Sequence, residues 1–258
     1  MKPRILVVRA PGSNCDRETA FAFEQAGGQA DLRHINRLLE QPRLTDDYQI
    51  LCIPGGFSYG DDIAAGRILA TQIRHHLNET LAQFKDAGKL ILGICNGFQV
   101  LIKSGVLLPD LANGHPVATL TWNDSAQFED RWVNLASFGD RCVFLRGIER
   151  MYLPIAHAEG KFVARDGATL DSLDQRGHLA LRYSGQTGAN GQLAFPENPN
   201  GSQRDVAGVC DDTGRVFGLM PHPERHIDAT HHPHWTRLPQ RPEGDGLALF
   251  RNAVEYFQ

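Results

Sequence analysis

Lys89-Leu90-Ile91-Leu92-Gly93-Ile94-Cys95-Asn96-Gly97-Phe98-Gln99-Val100-Leu101-Ile102-Lys103 changes period at its centre. The apolar run from Lys89 to Ile94 predicts a buried strand, and the spacing of Phe98, Leu101 and Ile102 predicts a helix from Asn96 to Lys103. A sharp turn between them holds the Cys95 sulfur out of the sheet on a strained backbone. The flanking Gly93 and Gly97 let neighbouring chain approach closely. This is the logic of a nucleophile elbow, with sulfur in place of a serine oxygen. The start of a helix also favours the thiolate, which is the reactive form. The pentapeptide alone leaves a second reading open, a buried strand-end cysteine with no chemistry.

Outward from this stretch, the first hundred residues alternate strand and helix. Arg4 to Arg9, Ala30 to Ile35 and Gln49 to Ile53 read as strands. Asp16 to Ala26 reads as a helix, with Ser13 or Asn14 available as its cap. Leu69, Ile73, Leu77, Leu81 and Phe84 recur at helical spacing and predict one long helix from about Arg67 to Ala87. Repeated strand–helix units imply a parallel sheet covered on both faces. Active sites in such sheets lie at the carboxyl ends of strands, where Cys95 and Pro54 both fall.

The middle of the chain changes character. Val117 to Trp122, Trp132 to Ala136, Arg141 to Phe144, Leu153 to Ala158, Lys161 to Ala164 and Leu179 to Tyr183 read as short strands separated by turn residues. They suggest an antiparallel extension of the main sheet. Ser184 to Ser202 is rich in Gly, Asn and Pro and reads as a loop. Val206 to Cys210 and Val216 to Met220 read as a hairpin around Asp211-Asp212-Thr213-Gly214. Leu247, Phe250, Val254 and Phe257 share one face of a closing helix. The fold class is α/β, with one domain over residues 1–258.

Composition narrows the function. The net charge of −4 supplies no field for nucleic acid, and there is no Lys/Arg block. No apolar run approaches the ~18 residues that span a bilayer. Met1-Lys2-Pro3-Arg4 leads straight into the first strand, without the pattern of a signal peptide. The five cysteines are odd in number and lack CxxC spacing. That suits a reducing, cytoplasmic compartment and argues against a disulfide framework or zinc ribbon.

A cysteine nucleophile needs a base and a group that orients it. Pro221-His222-Pro223-Glu224 follows the strand Val216 to Met220, again at a carboxyl end. Proline pushes His222 into extended backbone, and positions two apart in extended chain face the same side. His222 and Glu224 then share one pocket, although a turn with both groups solvated also fits the tetrapeptide. Pro54-Gly55-Gly56-Phe57 follows the strand ending at Ile53, so its backbone N–H groups can turn toward a developing oxyanion. A phosphate loop is disfavoured, because no GxxxxGK[ST] occurs and no lysine follows these glycines.

Together these three elements resemble the class I (triad-type) glutamine amidotransferases, whose marks are PGG, GxCxGxQ and HPE. Here they read Pro54-Gly55-Gly56, Gly93 to Gln99 and His222-Pro223-Glu224. Five stretches narrow the resemblance to the glutaminase subunits of phosphoribosylformylglycinamidine synthases. They are Ala10 to Asp16, Gly56 to Asp62, Gly93 to Gln99, Asn198 to Ser202 and Met220 to Arg225.

The resemblance implies a flavodoxin-like fold, with Cys95 as nucleophile, His222 as acid/base and Glu224 as its orienter. Oxyanion donors map to Gly56 or Phe57 and to Asn96, and a substrate contact to Gln99. It implies glutamine as substrate, no cofactor or metal on this chain, and ammonia passed to a large synthetase subunit that uses ATP and Mg²⁺. A small bridging subunit joins in some family members. Ser184 to Gly201 and His231 to Pro242 look longer than a minimal subunit needs. Another cysteine hydrolase on this fold, or a noncatalytic regulatory subunit, stays as the alternative.

Four other features have bland readings beside sharper ones. Cys15 lies near a helix start and is either reactive or shapes the loop after the first strand. Asp61 and Asp62 form an acidic pair, better read as solvated or as helix caps than as metal ligands. His226, His231, His232 and His234 crowd one stretch, but Pro221, Pro223 and Pro233 oppose the helix that a metal site there needs. His157-Ala158-Glu159-Gly160 resembles a family loop beside the active site, and also reads as a plain hairpin turn.

Overall fold

The computed structural model describes residues 2–109, 114–187 and 193–258. Nine strands form the main sheet. They are β1 (Arg4–Arg9), β2 (Gln29–His34), β3 (Ile50–Ile53), β4 (Leu90–Ile94), β6 (Glu129–Ser137), β7 (Arg150–His157), β9 (Leu181–Tyr183), β10 (Val206–Cys210) and β11 (Val216–Leu219). Their order is β2-β1-β3-β4-β11-β10-β9-β6-β7. The first five run parallel, and the four from β10 onward pair antiparallel. The order β2-β1-β3-β4 is that of flavodoxin-like sheets.

Burial explains why the halves differ in sequence. Every residue of β3, β4, β10 and β11 is buried, as strands covered on both faces require. In β7 buried residues alternate with half-exposed ones, the mark of a sheet with one covered face. The helices are α1 (Asp16–Gln25), α2 (Ile35–Glu40), α3 (Arg67–His76), α4 (Asn78–Asp86), α5 (Asn96–Ser104), α6 (Gly167–Gln175) and α7 (Leu247–Glu255). Right-handed crossovers sort them to opposite faces: α1 packs with α7, and α3 with α5.

Several expectations need correction. The long helix from Arg67 to Ala87 breaks at Leu77, which has φ −123° and ψ 3°. Leu77 stays buried beside Ile73 and Leu81, so the apolar spacing runs through the break unaltered. Val117 to Trp122 and Lys161 to Ala164 do not join the main sheet. They give β5 (Ala118–Thr121) and β8 (Lys161–Ala164), a separate antiparallel pair with β5 packed on α5.

Arg141 to Phe144 is not a strand but leads into a 3-10 turn, Val143–Leu145. Its three residues are all buried and Phe144 stacks on Phe217, so the segment reads apolar without being extended. Helix α6 went unread because only Leu173 in it is buried. Its one signal is the Asp166 cap, which accepts from Thr169 N–H at 2.8 Å. Residues 188–192 of the Ser184 to Ser202 loop lie outside the described residues.

Candidate active site

Cys95 sits between β4 and α5 with φ 50° and ψ −104°. A non-glycine residue in that region costs about 1–3 kcal/mol and persists only where its surroundings enforce it. The enforcement is visible. The Cys95 N–H donates to Leu219 O at 2.8 Å. A Cβ on Gly97 would stand 1.9 Å from Ile53 O, and one on Gly93 2.6 Å from Gly97 O. Both glycines are therefore required by close approach. The thiol is buried, 5% exposed, with Sγ 3.7 Å from Ala156 O.

His222 follows β11, the neighbour of β4. Its N–H donates to Pro154 O at 2.8 Å, which brings β7 against this end of the sheet. Its backbone is not the extended one expected: φ −105° and ψ 88° lie short of the β region, because His222 caps the turn that follows. Glu224 reaches it differently from the expectation. Pro223–Arg225 is a 3-10 turn, because the proline φ suits a first helical position. The carboxylate returns along that turn, and Glu224 Oε1 lies 2.6 Å from His222 Nδ1. Both side chains are fully enclosed.

Burial pushes the His222 pKa down. The Glu224 carboxylate and then the Cys95 sulfur push it up and win, leaving it well above the usual histidine value. Among the described residues the Nε2 atom has no hydrogen-bond partner. It is the ring atom left over once Nδ1 is engaged by Glu224.

The glycine loop packs against His222. Gly56 has φ 137°, and a Cβ on Gly55 would meet His222 Cε1 at 2.7 Å. The Phe57 N–H already donates to Gly12 O at 3.0 Å. Phe57, one of the two candidate oxyanion donors on this loop, is therefore engaged in a bond of its own. Asn96 begins α5, where the first N–H groups have no intrahelical acceptor. Gln99 is buried and turned into the protein. Its amide donates to Glu159 O at 2.7 Å and its oxygen accepts from Asn96 Nδ2 at 2.9 Å. Among the described residues its second amide hydrogen and the second lone pair of its oxygen are not engaged.

A strained thiol, an enclosed imidazole–carboxylate pair and a glycine turn at one end of the sheet match the marks of one enzyme family. A family model described as the CobB/CobQ-like glutamine amidotransferase domain matches residues 2–257. The chain belongs to that family. It is 44% identical to phosphoribosylformylglycinamidine synthase subunit PurQ of Dehalococcoides mccartyi, over 99% of this chain and 98% of that one. It is 41% identical to the PurQ subunit of Methanococcus maripaludis, over 99% and 97%. A solved structure, described as PurLQS from Thermotoga maritima, superposes with TM-score 0.75 at 33% identity and covers both chains fully.

Two further residues of this amidotransferase, Cys15 and His157, come close to His222. Cys15 is buried behind His222, with Sγ 4.0 Å from Nδ1 and 3.1 Å from Arg225 Nη2. Cys15, His222 and Glu224 offer three ligand atoms within 4.8 Å of one another. The Arg225 guanidinium already supplies positive charge at that sulfur. The available signal was position, since Cys15 follows β1, whose neighbour is β3.

His157 ends β7 and is fully buried. Burial first, and the charge on His222 second, lower its pKa to about 3. Its Nδ1 lies 3.2 Å from Asn123 Oδ1. Asn123 Nδ2 donates to Gln127 O and His157 O, and its Oδ1 accepts from Gly160 N–H. That pins the amide, so the His157 proton is on Nδ1. The loop is no plain hairpin: Asn200 Nδ2 also holds Gly160 O at 2.9 Å.

Asp61 caps Gly66 N–H at 3.1 Å, the cap reading of the acidic pair, while Asp62 is exposed. His226 and His232 pack with Trp132 and Tyr152 as an aromatic cluster. No helix among the described residues is long and apolar enough to cross a membrane.

Proposed function

We propose that this chain is the glutaminase subunit of a phosphoribosylformylglycinamidine synthase in purine biosynthesis. The observation that supports it most is the meeting of the strained Cys95 turn with the enclosed His222–Glu224 pair at the ends of adjacent parallel strands. The relatives' name supplies the acceptor reaction.

In this reading the Cys95 thiolate adds to the side-chain amide carbon of glutamine. The carbonyl electrons move to oxygen, where the N–H groups of Gly56 and Asn96 hold them. The C–N bond breaks as His222 gives its proton to the departing ammonia. Water, deprotonated by His222, then hydrolyses the thioester and releases glutamate and the thiolate. Glu224 keeps the imidazole oriented and favours its charged form. Gln99 helps to seat the glutamine. No cofactor or metal belongs to this chemistry. ATP and Mg²⁺ act on a large synthetase subunit, which receives the ammonia. The PurLQS assembly named for the neighbouring structure supports a small third subunit as well. The compartment is the cytoplasm.

The test is a glutamine-analogue diazoketone with mass spectrometry. Wild type and Cys15→Ser are expected to be labelled once, and Cys95→Ser not at all. Labelling that persists in Cys95→Ser sinks the reading. The isolated chain is expected to turn over glutamine slowly and to gain rate with the synthetase present.

A further inference from the structure

The two oxyanion donors stand on different elements, and the sheet does not fix their separation. The β3–β4 ladder ends at the pair Ile53 and Gly93. Beyond it, the Gly55–Phe57 segment is bonded on its other side, with Phe57 N–H on Gly12 O and Gly55 O accepting from Cys15 N–H. Those bonds tie the loop to the chain after β1, not to α5. The loop then carries left-handed residues, Tyr59 at φ 55°, Gly60 at 72° and Asp61 at 53°. Such a segment needs outside support.

Asn96 supplies it. Its side chain is buried, 2% exposed. The Oδ1 atom accepts from Ser58 N–H at 3.2 Å, two residues past Gly56. The Nδ2 atom donates to Asp61 Oδ1 at 3.0 Å and to Gln99 Oε1 at 2.9 Å. Ser58 N–H can only donate, and Asp61 Oδ1 already accepts from Gly66 N–H, so the amide has one orientation. Both amide hydrogens are used. The residue that offers one oxyanion donor from its backbone thus grips the loop that offers the other.

We propose that the Asn96 side chain, held by Asp61, is a positioning residue that sets the gap between the Gly56 and Asn96 N–H groups. The proposal rests on Cys95 as the nucleophile. Without the side chain, Ser58 N–H is left buried and unpaired, and the strained loop relaxes away from α5. Tetrahedral species that carry an oxyanion suffer, while reactions of the thiol that develop none do not.

Two probes of the full-length chain separate these effects. The γ-aldehyde of glutamate adds the Cys95 thiolate to its carbonyl carbon. The displaced electron pair goes to oxygen and nothing leaves, so binding reads the oxyanion site. Iodoacetamide alkylates the same sulfur by displacing iodide and develops no oxyanion. Asn96→Ala is expected to weaken aldehyde binding by about 10–100-fold, less than the ~10²–10³ lost when a donor is deleted outright. Its alkylation rate is expected to stay within about 3-fold of wild type. Asp61→Ala is expected to follow in the same direction, and Asp61→Asn, which keeps the acceptor oxygen, to restore tight binding. In the glutaminase assay with the synthetase present, kcat falls more than KM rises.

Unchanged aldehyde affinity in Asn96→Ala overturns the proposal. So does a parallel fall with both probes, which marks collapse of the Cys95 turn, and so does Asp61→Asn behaving as Asp61→Ala. Wild-type aldehyde affinity in Cys95→Ala overturns the nucleophile assignment itself and the proposal with it, an outcome separate from the other three.

Discussion

The segments that follow β11 and end β7 each bury a histidine at the same end of the molecule, and their protons behave oppositely. His222 is held well above the ordinary value and His157 is lowered to about 3. Burial acts on both in the same direction, against the charged ring. The difference is the partner. His222 has a carboxylate 2.6 Å from Nδ1, whereas His157 has the neutral amide oxygen of Asn123 at 3.2 Å. A buried imidazole carries charge only where the fold buries a carboxylate with it. One ring is therefore shifted toward its charged form, and the other is held neutral.

The largest effect should come from exchanging the two rings for amides. His222→Asn is expected to lower the glutaminase kcat by about 10³-fold, within the range for a general acid–base group. His157→Asn should cost far less. Equal losses in steady-state kinetics would break the contrast.

Next in size is the carboxylate. Glu224→Gln keeps a hydrogen-bond acceptor and removes the charge, so burial meets less opposition and the His222 pKa falls. The alkaline limb of the kcat/KM profile, where imidazolium is lost, should move toward lower pH, with kcat down by roughly 10²-fold. A limb that stays in place would show that Glu224 does not set the charge.

The smallest effect is on stability. His157 has a folded pKa below its unfolded value near 6.5. Its contribution is present above pH 6.5 and is lost as pH falls toward about 3. The loss is a few kcal/mol at most, at roughly 1.4 kcal/mol per unit. His222 is shifted upward, so its contribution is complete below about 6.5 and wanes only as pH rises through the folded value. It adds no acid-side slope. Denaturant unfolding from pH 7 to 4 should show a shallower decline for His157→Gln than for wild type. Parallel curves would contradict the assignment.

Local pattern made much of this legible in the sequence. The strand, turn and helix around Cys95 have their own periods, and the strand-end glycines of 55, 56, 93 and 97 mark close approach. Tertiary context hid the rest. Leu77 breaks a helix without leaving the buried face, so periodicity was blind to it. The Phe57 N–H is engaged by Gly12 O, a contact made across the loop after β1. Cys15 and His157 lie in stretches the family resemblance covers, but only the placement of β1 and β7 brings them to His222.

The sequence by itself determined the alternation of strand and helix, the strained thiol turn and the residue types that meet there, because these depend on neighbours within a few positions. The tertiary structure alone decided which histidine is shifted up and which down, that the Phe57 N–H is engaged, and that Asn96 grips the loop at Ser58 and Asp61. Those properties depend on desolvation and on partners that only the strand order and the folding back of β7 bring within hydrogen-bond reach.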